Sequence, residues 1–309
     1  MRAPNTSSWH RLTGVARTLV GVVAALLFVA MTVLPAFAAD PVPEMITTGT
    51  GKKVELRFKP QVGSTQTVDF IMAMSMKMDG PIPMDMSLPG MKLGMRTTVT
   101  AVDQGTGNIT YDLEIVDAGV EEGGDPMMAG MMEQQVQSMV GTKATIVSDA
   151  MGNTVDAKFT PPPGAPPDLV ANLQKSMDGS NATLPKEAVG MGAKWKLTQS
   201  MEENGIKVDQ VTTYEVTSLT DKGVTLAVNV AQQGKTGPME DPSLPPGATA
   251  TMEKFEGAGK GTTTFEFAHP MVTQAEIGVD IATTMTMEMG GQKQTMNMNM
   301  GMQTKINRR

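Results

Sequence analysis

The segment that decides the fold reads Met285-Thr286-Met287-Glu288-Met289-Gly290-Gly291-Gln292-Lys293-Gln294-Thr295-Met296-Asn297-Met298-Asn299-Met300-Gly301-Met302. Methionine alternates with other residues on both sides of a glycine pair. Because successive side chains of a β-strand point to opposite faces, this period of two places the thioethers of each strand on one face. The glycines with Gln292 and Lys293 are typical of a hairpin connection. We therefore predict two antiparallel strands whose methionine ribbons face one another.

A third methionine ribbon lies nearer the start of the chain, where methionine again occupies every second position from 72 to 78. Methionine makes up 30 of the 309 residues, which is several times its usual share. Further methionines are expected in a loop, at Met84, Met86 and Met91. The three ribbons supply the candidate ligand-binding residues Met72, Met74, Met76, Met78, Met285, Met287, Met289, Met296, Met298, Met300 and Met302.

The same alternation of apolar and polar residues, interrupted by Gly, Pro, Asn and Asp, recurs along most of the chain. The predicted strands are 54–59, 65–78, 95–102, 109–116, 143–147, 154–159, 193–203, 206–219, 224–233, 262–267, 272–280, 283–289 and 295–306. Their connections are short and polar, so neighbouring strands should be antiparallel. We predict a mainly β fold with long antiparallel strands in a curved sheet or half-barrel.

Two segments depart from this alternation. After Pro126, apolar residues recur at spacings of three and four, which predicts an amphipathic helix over 126–140. The proline-rich run 161–167 predicts a stiff spacer, and a second short helix is expected over 168–177. The fold should therefore contain one or two short helices.

Residues 1–38 have the features of a secretory signal peptide. Arg2, Arg11 and Arg17 precede a 16-residue apolar run, which is followed by Ala36-Phe37-Ala38. The alternative, a retained membrane anchor, needs about 20 apolar residues. We predict cleavage after Ala38, a periplasmic or extracellular location, and no transmembrane segment in the mature chain.

The mature chain divides into an N-terminal β half (39–160), the spacer with its short helix (161–187) and a C-terminal β half (188–309). The segment 98–102, a turn and 109–116 resemble 215–219, a turn and 224–230. This likeness favours an internal duplication. The alternative is that all antiparallel meanders look alike at this level of detail.

Composition excludes several function classes. The chain has no cysteine, and its two histidines are His10 and His269, of which only the second follows the predicted cleavage point. Disulfides, thiolate metal sites and multi-histidine metal centres are therefore excluded. Removing residues 1–38 takes away three of 25 basic residues and none of 32 acidic ones, which leaves an acidic protein that nucleic acid would repel.

No enzyme and no cofactor are predicted. Asp112, Glu114 and Asp117 have no evident acid or base partner, and nothing near His269 marks a nucleophilic serine. The glycines before Trp195 suggest a phosphate loop only superficially, because a strand follows them instead of a helix. Trp195 should pack inward.

Three hypotheses explain the methionines. Methionine is unbranched and adaptable, so the ribbons could line a face that binds a lipid or another hydrophobic small molecule. Thioethers are also soft ligands that select Cu(I) or Ag(I), and a site would then use the same methionines, bridging the ribbons 285–289 and 296–302. In the third hypothesis the ribbons only fill the core of an envelope structural or interaction module without a ligand.

Two motifs carry a family resemblance. Leu184-Pro185-Lys186-Glu187-Ala188-Val189-Gly190-Met191-Gly192-Ala193-Lys194-Trp195 and Leu56-Arg57-Phe58-Lys59-Pro60, followed by Gly63, together with the ribbons, resemble an uncharacterised bacterial family of exported, Met-rich, β-rich proteins that is classed as a domain of unknown function. The resemblance implies a curved antiparallel sheet and no catalytic residues. The layout is more loosely similar to the half-barrel lipid and lipoprotein carriers of bacterial envelopes.

Overall fold

A computed structural model describes residues 42–80, 83–122, 126–162, 184–203, 206–239, 249–289 and 291–309. The predicted signal peptide and the predicted helix 168–177 lie outside the described residues. The described elements are β1 (Glu44–Thr47), β2 (Thr50–Val54), β3 (Thr65–Asp79), β4 (Met84–Val102), β5 (Ile109–Val120), α1 (Pro126–Gln137), β6 (Lys143–Ser148), β7 (Thr154–Thr160), β8 (Val189–Met191), β9 (Lys194–Glu203), β10 (Ile206–Leu219), β11 (Gly223–Gly234), β12 (Gly237–Met239), β13 (Thr249–Glu266), β14 (Val272–Met289) and β15 (Gln292–Arg308). The prediction of a mainly β fold with a short helix is confirmed.

Thirteen of the described strands form one antiparallel sheet. The order along the sheet is β1-β9-β10-β11-β13-β14-β15-β3-β4-β5-β6-β7, with β12 paired to β13, and β2 pairs with β8 in a separate ribbon. The two predicted halves therefore share one continuous sheet, joined where β15 pairs with β3. The sheet does not close on itself, because β1 and β7 remain its edges.

The sheet is strongly curved. Leu113 and Ile146, on β5 and β6 near one edge, belong to the same buried cluster as Trp195 and Leu226, on β9 and β11 near the other edge. Side chains from opposite ends of a flat sheet of this width could not share a cluster, since neighbouring strands lie about 4.8 Å apart. The inner face is therefore concave, as a half-barrel requires.

Three glycines help the sheet to curve. Gly257, Gly259 and Gly261 alternate along the inner face of β13. A Cβ atom at Gly257 would lie 2.4 Å from Gln232 Oε1, and one at Gly261 would lie 2.1 Å from the carbonyl oxygen of Glu276. Because neighbouring strands occupy the space of the missing side chains, the sheet can bend more tightly at β13.

Three sequence expectations were wrong. Of the strand predicted over 54–59, only Val54 belongs to a strand, β2. Residues 55–59 alternate in burial but form no strand, because their backbone hydrogen bonds go to turns: Phe58 N–H donates to the carbonyl of Ala150 (2.7 Å) and Lys59 N–H to that of Phe267 (2.6 Å). The predicted loop 84–91 belongs to β4, where a register shift opposite β3 absorbs Pro89. The strands predicted over 272–280 and 283–289 are one continuous strand, β14.

The hairpins β4–β5 and β10–β11 share an unusual detail. β4 has a bulge at Thr100 and β10 has one at Thr217. The Thr100 hydroxyl donates to the carbonyl of Thr110 (3.2 Å), and the Thr217 hydroxyl donates to that of Thr225 (3.1 Å). These two threonines occupy the same place in the sequence likeness between the halves.

The strands that precede these hairpins also begin alike. Gly63 (φ 84°) donates its N–H to the carbonyl of Val99 (2.8 Å), next to the first bulge, and Gly192 (φ 70°) donates to that of Val216 (3.0 Å), next to the second. A positive φ favours glycine at both turns. The shared turn, bulge and hydrogen bonds support construction of the fold from two similar halves.

Candidate functional site

The described side chains of the predicted methionines lie on the concave inner face of the sheet. Met72, Met74 and Met287 are partly buried, and the Met289 side chain lies outside the described part of the molecule. The other seven side chains are at most 4% exposed: Met76, Met78, Met285, Met296, Met298, Met300 and Met302. Strand pleating thus gathers the thioethers on one wall, and that wall is closely packed.

The ribbons do not pair as the sequence suggested. Across the β14–β15 hairpin, Met296 lies opposite Met285, but the following methionines of β15 lie opposite Thr283, Ile281 and Val279. The main partner of the β15 ribbon is β3. Directly opposed pairs are Met298 with Met78, Met300 with Met76, and Met302 with Met74.

Strand β4 adds a third line of methionines to this wall. Met86 lies opposite Met76, and Met84 lies opposite Met78. Two rows of three methionines therefore cross β4, β3 and β15, with Cβ atoms of directly opposed residues about 5 Å apart. The rows are Met86–Met76–Met300 and Met84–Met78–Met298.

These rows belong to one apolar cluster, called here the methionine cluster. Non-methionine members include Phe255, Val279 and Ile281 of the neighbouring strands and Ile206 and Val208 of β10. The methionines in it are Met74, Met76, Met78, Met84, Met86, Met239, Met252, Met285, Met287, Met296, Met298 and Met300. Methionines are therefore the majority of its described members.

A row of buried glutamines continues from the methionine cluster along the same face. Ile281 lies opposite both Met300 and Gly257, and Gly257 lies opposite Gln232. The row then continues through further inward-facing glutamines of β10 and β9. Gln232, Gln210 and Gln199 are paired in that order and are 4%, 2% and 3% exposed.

The glutamine amides are only partly satisfied. Gln232 Nε2 donates to Gln210 Oε1 (2.7 Å), and Gln210 Nε2 donates to the Thr212 hydroxyl (3.2 Å). Among the described residues, Gln232 Oε1, Gln199 Nε2 and the hydroxyl of Thr283 are buried and have no hydrogen-bond partner. Leaving a buried polar atom unpaired costs about 1–3 kcal/mol, so these atoms need an explanation.

Sequence reasoning missed this glutamine row, although a signal was present. Each glutamine occupies an inward position in an alternating strand. It is the next inward residue after Leu197 on β9, Val208 on β10 and Val230 on β11. A polar residue at an apolar position is the informative exception in such patterns. The three positions lie on three consecutive strands, and only the register of the two hairpins places them in one row.

A groove crosses the opposite, solvent-exposed face of the sheet. Its volume is about 760 Å³, and it lies over the backbone of the row that contains Met76, Met300, Ile281, Gly257 and Gln232. The exposed residues beside that row include Ser75, Lys77, Asp85, Glu256, Asp280 and Asn299. The groove is therefore bordered by polar and charged side chains, and Met76 and Met300 are among the residues that line it.

The carboxylates singled out on β5 have structural partners. Asp112 Oδ1 accepts a hydrogen bond from the Thr145 hydroxyl (2.8 Å), and Glu114 lies 3.4 Å from Lys143 Nζ. In the part of the chain that the structure describes, no group of three or more His, Asp or Glu side chains could hold a metal ion. His269 packs near Glu266 (3.7 Å), and burial, with the nearby Arg308, lowers its pKa.

The third carboxylate, Asp117, belongs to an ion-pair network that fastens the C-terminal residue to the outer face. Arg309 donates to both oxygens of Asp117 (2.6 and 2.7 Å) and to Asp69 Oδ1 (2.7 Å). These hydrogen bonds lower the pKa of Asp117. Burial would raise the pKa of Asp69, but hydrogen bonds from Arg309 and Lys92 outweigh it and lower that pKa.

No protein-family model matches the chain, and no curated protein matches it. The predicted resemblance to a family of exported β-rich proteins therefore stays a prediction. Among the described residues, no helix is both long and apolar enough to cross a membrane.

Proposed function

We propose that this chain is an exported, non-catalytic binding protein whose methionine face takes up a hydrophobic molecule such as a lipid chain. The observation that carries the proposal is the methionine cluster itself. It covers the concave face of four adjacent strands, β4, β3, β15 and β14, in a sheet that is not closed.

The choice of residue supports binding over simple core filling. Valine and isoleucine suit strands better and define a packed core more tightly than methionine does. The inner face near Trp195 is built in that ordinary way, with Val216, Val224 and Leu226. Methionine is concentrated toward the other end of the long strands, where a deformable wall would adapt to a guest.

Burial determines how a guest would enter. Because Met76, Met298 and Met300 are at most 4% exposed, an entering chain has to separate thioethers that touch one another. Methionine has three rotatable side-chain bonds, so the wall can repack around the guest with little change in backbone position. Because the methionine side chains are already buried, the burial of the guest's own apolar surface would drive uptake.

The test is mass spectrometry of an organic extract of the purified protein, together with a titration of a fluorescent apolar probe. We expect co-purifying lipid or saturable probe uptake. The variant Met76→Leu/Met300→Leu keeps volume and apolarity, so it should retain uptake within a few-fold. If the folded protein carries no lipid and takes up no probe, this function is rejected in favour of a structural or interaction module.

A second candidate function, Cu(I) or Ag(I) binding, is favoured by the row Met86–Met76–Met300. Three thioethers at one level of adjacent strands suit a soft cation better than residues along one strand, which lie about 6.7 Å apart. The site would thus bridge β4, β3 and β15 instead of the predicted ribbons 285–289 and 296–302.

The same double variant separates the two candidates. Leucine has no donor atom, so Met76→Leu/Met300→Leu should abolish Cu(I) binding in a competition titration under reducing conditions. The exposed Met131, which is 66% exposed, provides the control Met131→Leu. An affinity of the unaltered protein no better than that of free methionine would eliminate metal binding.

A further inference from the structure

The unpartnered polar atoms on the inner face lie at the border of the methionine cluster. Gln232 Oε1 lies over Gly257, since a Cβ atom there would be 2.4 Å away. Gly257 is paired with Ile281, and Thr283 is the next inward residue of β14. Thr283 itself lies opposite Met298, in a row that continues to Met78. The Thr283 hydroxyl therefore adjoins the thioethers directly, and Gln232 Oε1 follows in the next row, beyond Ile281 and Gly257.

Both atoms are deeply buried in side chains that are 4% and 2% exposed. Neither has a hydrogen-bond partner within the described ranges. Burying such atoms costs free energy unless something satisfies them. A guest that lies on the methionine cluster would place its end group within their reach, about one strand spacing from Ile281.

The charge of that end group follows from the neighbouring residues. The described buried polar side chains are all Gln, Thr or Ser, and none is charged. A carboxylate or phosphate placed among them would be an unpaired buried charge, which is strongly disfavoured. Gln232 Oε1 is an acceptor only, so its partner must supply an N–H or O–H group.

We infer that the ligand is an amphiphile with an uncharged, hydrogen-bond-donating head group, an amide or a hydroxyl, which Gln232 and Thr283 receive. This inference rests on the proposed function and adds the chemical class of the ligand. The apolar chain lies on the methionine cluster, and the head group donates to Gln232 Oε1. The Thr283 hydroxyl donates to, or accepts from, the same head group.

The test compares three probes with the same chain, oleamide, methyl oleate and oleate, by competition against a fluorescent apolar probe. Oleamide supplies N–H donors, methyl oleate only acceptors, and oleate a charge. We expect oleamide to bind about tenfold tighter than methyl oleate, which corresponds to one buried hydrogen bond, and oleate to bind weakest.

Two variants and a control locate the effect. Gln232→Met should reduce oleamide affinity to that of methyl oleate and leave methyl oleate unchanged. Thr283→Val is nearly isosteric and leaves the glutamine row intact, so it should not disturb folding. We expect it to reduce oleamide affinity by less than Gln232→Met does. The control is Gln66→Met, since Gln66 is also 4% exposed with an unpartnered Oε1 but lies on β3 beyond the methionine ribbon.

The outcomes separate the inference from the function on which it rests. Equal binding of oleamide and methyl oleate, tightest binding of oleate, or unchanged oleamide affinity in both variants would overturn the head-group assignment while uptake of apolar chains stands. Failure of all three probes to bind would overturn both the assignment and the proposed function.

Discussion

The meander β3–β5 and the meander β9–β11 have the same turn, bulge and threonine hydrogen bond, but their inner surfaces differ. Leu93 lies six residues before the valine that precedes the first bulge, and Gln210 lies six residues before the valine that precedes the second. The first row reads Phe70–Leu93–Ala118, and the second reads Gln199–Gln210–Gln232.

The two rows also differ in what covers them. Val136 of α1 is buried in one cluster with Phe70 and Leu93, and Ala118 packs against that cluster. The glutamine row has partly unpaired amides instead. The two meanders therefore share their backbone pairing, whereas their inward side chains decide whether a given position is core or candidate site.

We expect the greatest loss of stability from a substitution that opposes the curvature of the sheet at β13. Gly261 lies opposite Val228, and its counterpart in the first half is Ala144, which lies opposite Leu113. A methyl group fits at Ala144, but at Gly261 it would lie 2.1 Å from a backbone oxygen. Gly261→Ala should lower the free energy of unfolding by about 3 kcal/mol or more, measured by urea denaturation.

Gly278→Ala is the control for that substitution. A Cβ at Gly278 would meet the side chain of Gln303 at 3.4 Å and the carbonyl oxygen of Met302 at 3.9 Å, both ordinary contacts, so stability should change by less than about 1 kcal/mol. Equal urea midpoints for the two alanine variants would show that the curvature of β13 does not depend on the missing side chain at Gly261.

The second prediction converts part of the glutamine row to its counterpart. Gln210→Leu introduces leucine, the residue at the equivalent position 93 of the first half, and removes the acceptor of Gln232 Nε2. The loss should be about 1–3 kcal/mol in urea unfolding, and Gln210→Leu/Gln232→Leu should recover part of it, because no half-satisfied pair remains. Strictly additive losses would contradict this coupling, and the exposed Gln233→Leu serves as control.

The third prediction concerns the C-terminal ion pairs on the first meander. The pKa values of Asp69 and Asp117 are lowered in the fold, so the native state favours their ionised forms. Their stabilisation is present above the ordinary carboxyl pKa and is lost as the pH falls below about 4. Asp117→Asn should lower the free energy of unfolding by about 0.5–1 kcal/mol near neutral pH, because the ion pair is half exposed. In a plot of the urea midpoint against pH, the variant should also show a smaller fall on the acid side. An unchanged fall on the acid side would contradict it.

The smallest expected effect tests the likeness of the two halves. Thr100→Val and Thr217→Val each remove one exposed hydroxyl bond at equivalent bulges. Both should lower stability by a similar amount, about 0.5 kcal/mol, measured as a shift in Tm. A clear loss at one bulge and none at the other would show that the two hairpins share a shape but not its energetics.

Some elements of the fold could be predicted from the sequence pattern, and others could not. Alternation predicted the strands and the common face of the methionines, and the spacing after Pro126 predicted α1. It failed at 84–91, where Pro89 and Gly90 suggested a loop that a register shift absorbs within β4. It also failed at 55–59, where residues alternate in burial without forming a strand.

Periodicity is a local property, so the sequence alone determined which side chains share a strand face and that those faces carry thioethers. The tertiary structure was needed to show that β15 lies beside β3, that three methionines line up across β4, β3 and β15, and that three glutamines of successive strands form one row. Alternation is local, whereas β15 and β3 are more than two hundred residues apart in sequence and the hairpin registers depend on turns and bulges, so alternation alone predicts neither pairing.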